Sequence, residues 1–357
     1  MPEKLVIDPS QLHQFGEPMD SAFCLVTNPE LIDVISILPT GGYREYLKIP
    51  FRPGERFADV LPERVPEPAH VLAISPKSFF ESPSAALLGP RRKLMGMACN
   101  STPTSIETIQ HFLSIMEHTS AADQARFSDR FFEQLNNAQY LVYVDERRGT
   151  RAVLQHLEDN LEWNQQAGPL DWGEQQIVPS GEISVLPVEI TEFREELHLP
   201  LEGEIAFRGY PILHSGTPSF SRADQARIHF SLATLNLYGV IAKVVGGIIT
   251  EIRPHHPGAR SAVDMLNAMF KIDSRYRIVW EMGHALNTSL NILPGNHAMN
   301  EVYGGTEGCL HWGLGLTPYT QYHLDIISPD TTVYTDTGEV VLGVPGGYRN
   351  DRVALSS

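Results

Sequence analysis

The chain has 357 residues, 42% of them apolar and 20% charged, which is the balance of a globular protein and more than one hydrophobic core commonly serves. Asp plus Glu outnumber Lys plus Arg by 43 to 27, a formal charge of −16 that argues against nucleic acid or an anionic membrane as partner and suits a site that attracts cations. The three cysteines, Cys24, Cys99 and Cys309, are far apart and odd in number, so no disulfide framework is expected. No signal peptide and no apolar run of membrane-spanning length is visible, and a cytoplasmic location is expected.

Residues 1–148 alternate strand-like and helix-like patterns. Short apolar runs at 22–27 (AFCLVT), 33–38 (DVISIL), 71–75 (VLAIS) and 139–144 (QYLVYV) predict strands. Two helices are predicted at 105–117 and 121–136, the first with Ile106, Ile109, Phe112, Leu113 and Met116 on one face and a cap at Thr104-Ser105. The expectation is an α/β domain with a parallel sheet. The Pro-rich stretch 50–68 reads as an irregular surface connection, and the basic run Arg91-Arg92-Lys93 as a solvated loop. No nucleotide-binding fingerprint occurs.

From about residue 149 the pattern turns β-rich. The stretch 150–158 (TRAVLQHLE) alternates apolar and polar residues at several positions, and strand-like pieces follow at 182–186, 203–208, 239–245 and 247–252, the last two joined as a hairpin at Gly246-Gly247. One short amphipathic helix is predicted at 261–270. The second domain, 149–357, is therefore expected to be β-rich α+β.

The stretch 279–333 concentrates the reactive side chains: Glu281, Glu301, Glu307, His311, His323 and Asp325. In His323-Leu324-Asp325 the period of two puts an imidazole and a carboxylate on one face of a strand. Together they can hold a divalent cation. An isolated pair of this kind is more commonly a strand with its polar face in water. Glu182, after Ser180-Gly181, reads alone as a turn-exposed glutamate, and His311 alone as a core histidine. Cys309 reads as a buried small residue before it reads as a ligand or nucleophile. His255, His256, His284 and His297 read as structural or surface residues.

Four phrases in order carry a resemblance. They are 178–187 (VPSGEISVLP), 281–288 (EMGHALNT), 305–315 (GTEGCLHWGLG) and His323-Leu324-Asp325 followed by 332–338 (TVYTDTG). This set, covering roughly 149–345, resembles the metallo-aminopeptidases of the aminopeptidase T type and, more distantly, the iron-dependent 2,5-dihydroxypyridine dioxygenase. Residues 1–148 share only α/β texture with them. The resemblance implies metal ligands at Glu182, Glu281, His311, His323 and Asp325, with Glu307 or Glu301 as a further one. It also implies a homodimer. Three carboxylates and two imidazoles exceed what one zinc-like ion takes and suit two adjacent ions (Zn, Co or Mn) sharing a carboxylate.

The family's peptidases use a catalytic tyrosine after the first histidine. Near that place this chain has Thr317, with Tyr319 and Tyr322 close by as substitutes. The leading expectation is a metal-dependent hydrolase that cleaves an amide or peptide bond near a free amine, using a metal-bound hydroxide. Its substrate would be a small peptide or amino-acid amide, with Glu182 or Glu281 as base or bridging ligand. The alternatives are a mononuclear Fe(II) oxygenase and a non-catalytic descendant that binds a peptide or partner protein.

Overall fold

The computed structural model describes residues 5–78, 80, 82–97, 104–190, 194, 197–215, 219, 221–287, 309–316 and 319–346. In chain order the strands begin with β1 (Leu5–Ile7), β2 (Ala22–Thr27), β3 (Ile35–Ile37), β4 (Glu45–Pro50), β5 (Ala69–Ile74), β6 (Arg92–Met97) and β7 (Leu141–Asp145). They continue as β8 (Thr150–Leu154), β9 (Leu161–Gln166), β10 (Gln175–Gln176), β11 (Glu182–Pro187), β12 (Leu201–Phe207) and β13 (Tyr210–Ser215). The remaining strands are β14 (Val240–Val245), β15 (Ile248–Pro254), β16 (Val279–Ala285), β17 (Cys309–Leu314), β18 (Tyr322–Ser328), β19 (Thr332–Thr335) and β20 (Val340–Leu342). The helices are α1 (Phe57–Arg64), α2 (Ala85–Leu88), α3 (Ile106–His118), α4 (Ala121–Asn137), α5 (Arg222–Leu232) and α6 (Arg260–Ile272).

One compact unit takes described residues from 5–129 and 165–183. Its five-stranded sheet runs β10-β6-β5-β2-β4 with every pair parallel. The sheet grows outward on both sides of its first strand, the doubly wound order. β2, β5 and β6 are buried along their whole length, as a parallel sheet covered on both faces requires. α3 begins where the sequence places it: the Ser105 side chain accepts from the Thr108 N–H.

Two local expectations fail in this unit. The Pro-rich stretch contains α1, whose Phe57, Val60 and Leu61 join the apolar cluster around β2 and β5. The basic run is not a solvated loop, because Arg92 and Lys93 are buried in β6. Arg92 pairs with Glu67 at 2.7 Å and donates to the carbonyls of Leu88 and Val65, while the Lys93 ammonium donates to the Phe15 carbonyl. A charged side chain is tolerated in a buried strand when its head finds such acceptors.

The second unit takes described residues from 130–164, 184–287 and 309–346. The division falls inside β9 and β11, which belong by pairing to a sheet of this unit. Its seven-stranded sheet runs β15-β14-β12-β8-β7-β19-β20 and its six-stranded sheet β13-β18-β17-β16-β11-β9. β14 and β15 form the expected hairpin at Gly246-Gly247. β7 does not join the parallel sheet. It pairs antiparallel with β8 and β19, so the expected boundary after residue 148 falls in the turn of a hairpin.

One face of the six-stranded sheet is apolar and meets Tyr143 of β7. There the Tyr143 hydroxyl lies 3.1 Å from Nε2 of the fully buried His284, and its ring packs on Trp312. No helix among the described residues is long and apolar enough to cross a membrane.

Candidate metal centre

Strand alternation divides β16, β17 and β18 between two faces. Met282, His284, Trp312 and Leu324 occupy the apolar one. The other carries a cross-strand row in which Ile212 of β13 faces Asp325, Asp325 faces Gly313, and Gly313 faces Glu281. Beside it run the pairs His214–His323 and His311–Gly283. Just before Glu281 the register slips: Val279 pairs with Leu314 and Glu281 with Gly313, leaving Trp280 as an extra residue. Such a bulge re-aims the side chain that follows it. Glu182 opens β11, next to β16 in the sheet, straight after Gly181 at φ +109°, a backbone angle that L side chains rarely adopt. It is 3% exposed rather than turn-exposed.

Two glycines make the room. A Cβ on Gly283 would lie 2.0 Å from Cε1 of His311. One on Gly313 would lie 2.7 Å from Cβ of Glu281 and 3.2 Å from both Oδ1 of Asp325 and Cε1 of His323. The imidazole and the carboxylates converge because these two positions carry no side chain.

Among the described residues the ligand-type atoms fall into two overlapping groups. One oxygen each of Glu182 and Glu281 and one nitrogen of His311 lie within 4.8 Å of one another. The same holds for Glu281, His323 and Asp325. Glu281 belongs to both. Nε2 of His323 is 3.1 Å from Oδ1 of Asp325 and 3.3 Å from Oε2 of Glu281. Its Nδ1 is 2.6 Å from the Gly315 carbonyl, which takes that N–H and leaves Nε2 turned to the carboxylates.

Asp325 is fully buried, with Nε2 of His323 3.1 Å from its Oδ1 and Nε2 of His214 3.3 Å from its Oδ2. A buried carboxylate beside imidazoles keeps lone pairs that a cation can take. Imidazole nitrogen with carboxylate oxygen is the donor set of zinc, manganese, cobalt or ferrous iron, so the residues fit a divalent ion.

The charges are tightly coupled. Burial alone would pull the His323 pKa down, but the Asp325 and Glu281 carboxylates outweigh it and hold it well above 6.5. Burial pushes Asp325 upward, and the His323 and His311 imidazoles outweigh that and hold it well below the ordinary carboxylate range. A divalent ion would compete with the His323 proton for Nε2.

Neither proposed tyrosine reaches the cluster. Tyr322 alternates with His323 and so points to the opposite face, where its hydroxyl is 3.0 Å from Oδ2 of Asp224. Tyr319 donates its hydroxyl to the Ile190 carbonyl at 2.7 Å and stacks on Trp280. Cys309 is buried, and burial pushes its thiol well above its usual pKa, which disfavours the thiolate form. Glu301, Glu307, His297 and Thr317 lie outside the described residues. Sequence reasoning missed His214, Gly283 and Gly313. A lone histidine ending an apolar strand and two glycines in strands give no local signal of a shared site.

No protein family and no curated protein matches the sequence. Among solved structures the chain is similar to 2,5-dihydroxypyridine dioxygenase from Pseudomonas putida KT2440, with 14% identity over 96% of each chain and a TM-score of 0.53. It is also similar to wild-type AmpT from Thermus thermophilus, with 13% identity over 93% of this chain and 96% of that one, at a TM-score of 0.45. The first likeness shows a shared fold, and it extends over the N-terminal half, where the sequence offered only α/β texture.

Proposed function

We propose that this protein is a metal-dependent hydrolase that cleaves an amide or peptide bond near a free amine, with two divalent ions of the zinc, cobalt or manganese type. The observation that carries this reading is the sharing of Glu281 between two ligand groups. Glu182 and His311 would complete one ion's protein ligands, and His323 and Asp325 the other's. Three buried or half-buried carboxylates offset three of the four charges on two divalent ions and leave positive charge to face a substrate carbonyl.

When bound, such an ion pair supplies an activated water and polarises a carbonyl. The protein's own part is positional. Glu281 would be common to both ligand sets, and Glu182 would hold and release a proton at its carboxylate during the reaction. Gly283 and Gly313 keep the space between the ligands clear. Glu182 carries the acid–base role here without help from Tyr319 or Tyr322, whose hydroxyls are engaged elsewhere.

The test is hydrolysis of amino-acid amides and short peptides by chelator-stripped protein resupplied with zinc, cobalt or manganese. Elemental analysis runs beside it. Two equivalents of metal and turnover that disappears in Glu281→Gln are expected. Absence of metal-restored turnover on any amide would remove the hydrolase reading. A second reading, a mononuclear iron dioxygenase, draws on Asp325 lying beside His323 and His311, two imidazoles and one carboxylate. One equivalent of iron with oxygen uptake on a dihydroxylated ring would favour it.

A further inference from the structure

The two oxygens of Asp325 face different neighbours. Oδ1 lies on the side of the cluster, 3.1 Å from Nε2 of His323, 3.8 Å from Nε2 of His311 and 3.2 Å from where a Cβ on Gly313 would sit. Oδ2 lies on the side of β13, 3.3 Å from Nε2 of His214. His214 is opposite His323 in the β13–β18 register, and the two rings are 5.9 Å apart and tilted by 31°. It belongs to neither ligand group, so its imidazole stands behind Asp325 rather than among the ligands. A carboxylate that offers one oxygen to an ion commonly has the other held by a hydrogen-bond donor, which sets its orientation.

We propose that His214 is a positioning residue. By donating from Nε2 to Oδ2 it keeps Asp325 turned so that Oδ1 alone faces the ion held with His323 and Glu281. This rests on the two-ion reading above and adds a residue that no motif marked. His214 touches no reacting atom. It acts through Asp325, so its removal weakens metal binding before it changes the fold.

The experiment compares full-length wild type, His214→Ala and His214→Gln, each stripped by chelator and titrated with cobalt(II) alone. Affinity is read by competition with a chelating dye and geometry by visible absorption. Metal-free melting temperature serves as the fold control. Wild type is expected to take two equivalents. His214→Ala is expected to lose roughly 10–100-fold in affinity at one of the two sites and to shift the cobalt spectrum, with its metal-free melting unchanged. His214→Gln, whose amide N–H can donate to Oδ2, is expected to recover most of the affinity. If the alanine variant does not fold, His214→Leu, bulkier and without a donor, takes its place.

An alanine variant with wild-type affinity and spectrum overturns the proposal. So does a glutamine variant no better than alanine, since packing rather than the donated hydrogen bond would then matter. Wild type that takes up no cobalt sinks the two-ion reading itself. Normal wild-type uptake with no effect at His214 sinks this inference alone.

Discussion

Gly283→Ala is the sharpest perturbation the geometry allows. Gly283 sits mid-strand in β16, paired with His311, and is not among the glycines at positive φ, so alanine meets no backbone penalty there. The added methyl would lie 2.0, 2.3 and 2.7 Å from Cε1, Nε2 and Nδ1 of His311. Ordinary contact needs about 3.5–4 Å, so the ring must retreat by roughly 1.5–2 Å. His311 is 1% exposed and has no open side to move into. Overpacking of this kind costs about 1–3 kcal/mol, a fall of roughly 2–12 °C in melting temperature for a unit of this size. His311 is the one imidazole in the Glu182–Glu281–His311 group, whereas the Glu281–His323–Asp325 group keeps its own. The variant should therefore bind one equivalent of zinc where wild type binds two, by elemental analysis after dialysis. Two equivalents together with a wild-type melting curve would refute the argument that Gly283 makes room for a ligand.

Glu281→Gln removes the carboxylate common to both groups, so metal uptake should fall at both positions together, whereas Glu182→Gln should weaken one; titration calorimetry separates these outcomes. The stability of the metal-free protein and the increment that metal adds to it should depend on pH with opposite signs. His323 has a raised pKa when folded, so its pairing stabilises the metal-free protein fully below about pH 6.5 and is lost as pH rises through the raised value. An ion needs the deprotonated imidazole, so the metal-induced rise in melting temperature should grow over the same window. Asp325, held low, contributes fully above the ordinary carboxylate range and loses that contribution progressively as the pH falls through and below that range. A metal-induced increment that is flat with pH would contradict the assigned proton. Tyr319→Phe should cost about 1 kcal/mol in chemical denaturation, for the lost bond to the Ile190 carbonyl, and leave amide turnover within twofold of wild type.

Much of the local structure was legible from residues alone. The buried run Ala22–Thr27, the helices at α3 and α4 with the Ser105 cap, and the Gly246-Gly247 hairpin each depend on interactions within one element or its immediate neighbour. The facing of His323 and Asp325 follows from the same kind of rule, since alternation along a strand is a local property. What lies across strands was not legible. β7 carries the same apolar texture as the parallel strands, and only its pairing with β8 and β19 assigns it to the other unit. Arg92 and Lys93 read as a solvated loop because their acceptors, Glu67 and the Val65 and Phe15 carbonyls, are distant in sequence. His214, Gly283 and Gly313 acquire meaning only through the register of β13, β16, β17 and β18. The chain by itself determined which side chains could bind a cation and on which face of its strand each would stand. Tertiary structure decided which of those faces meet, because register between strands is set by long-range pairing and core packing that no local pattern encodes.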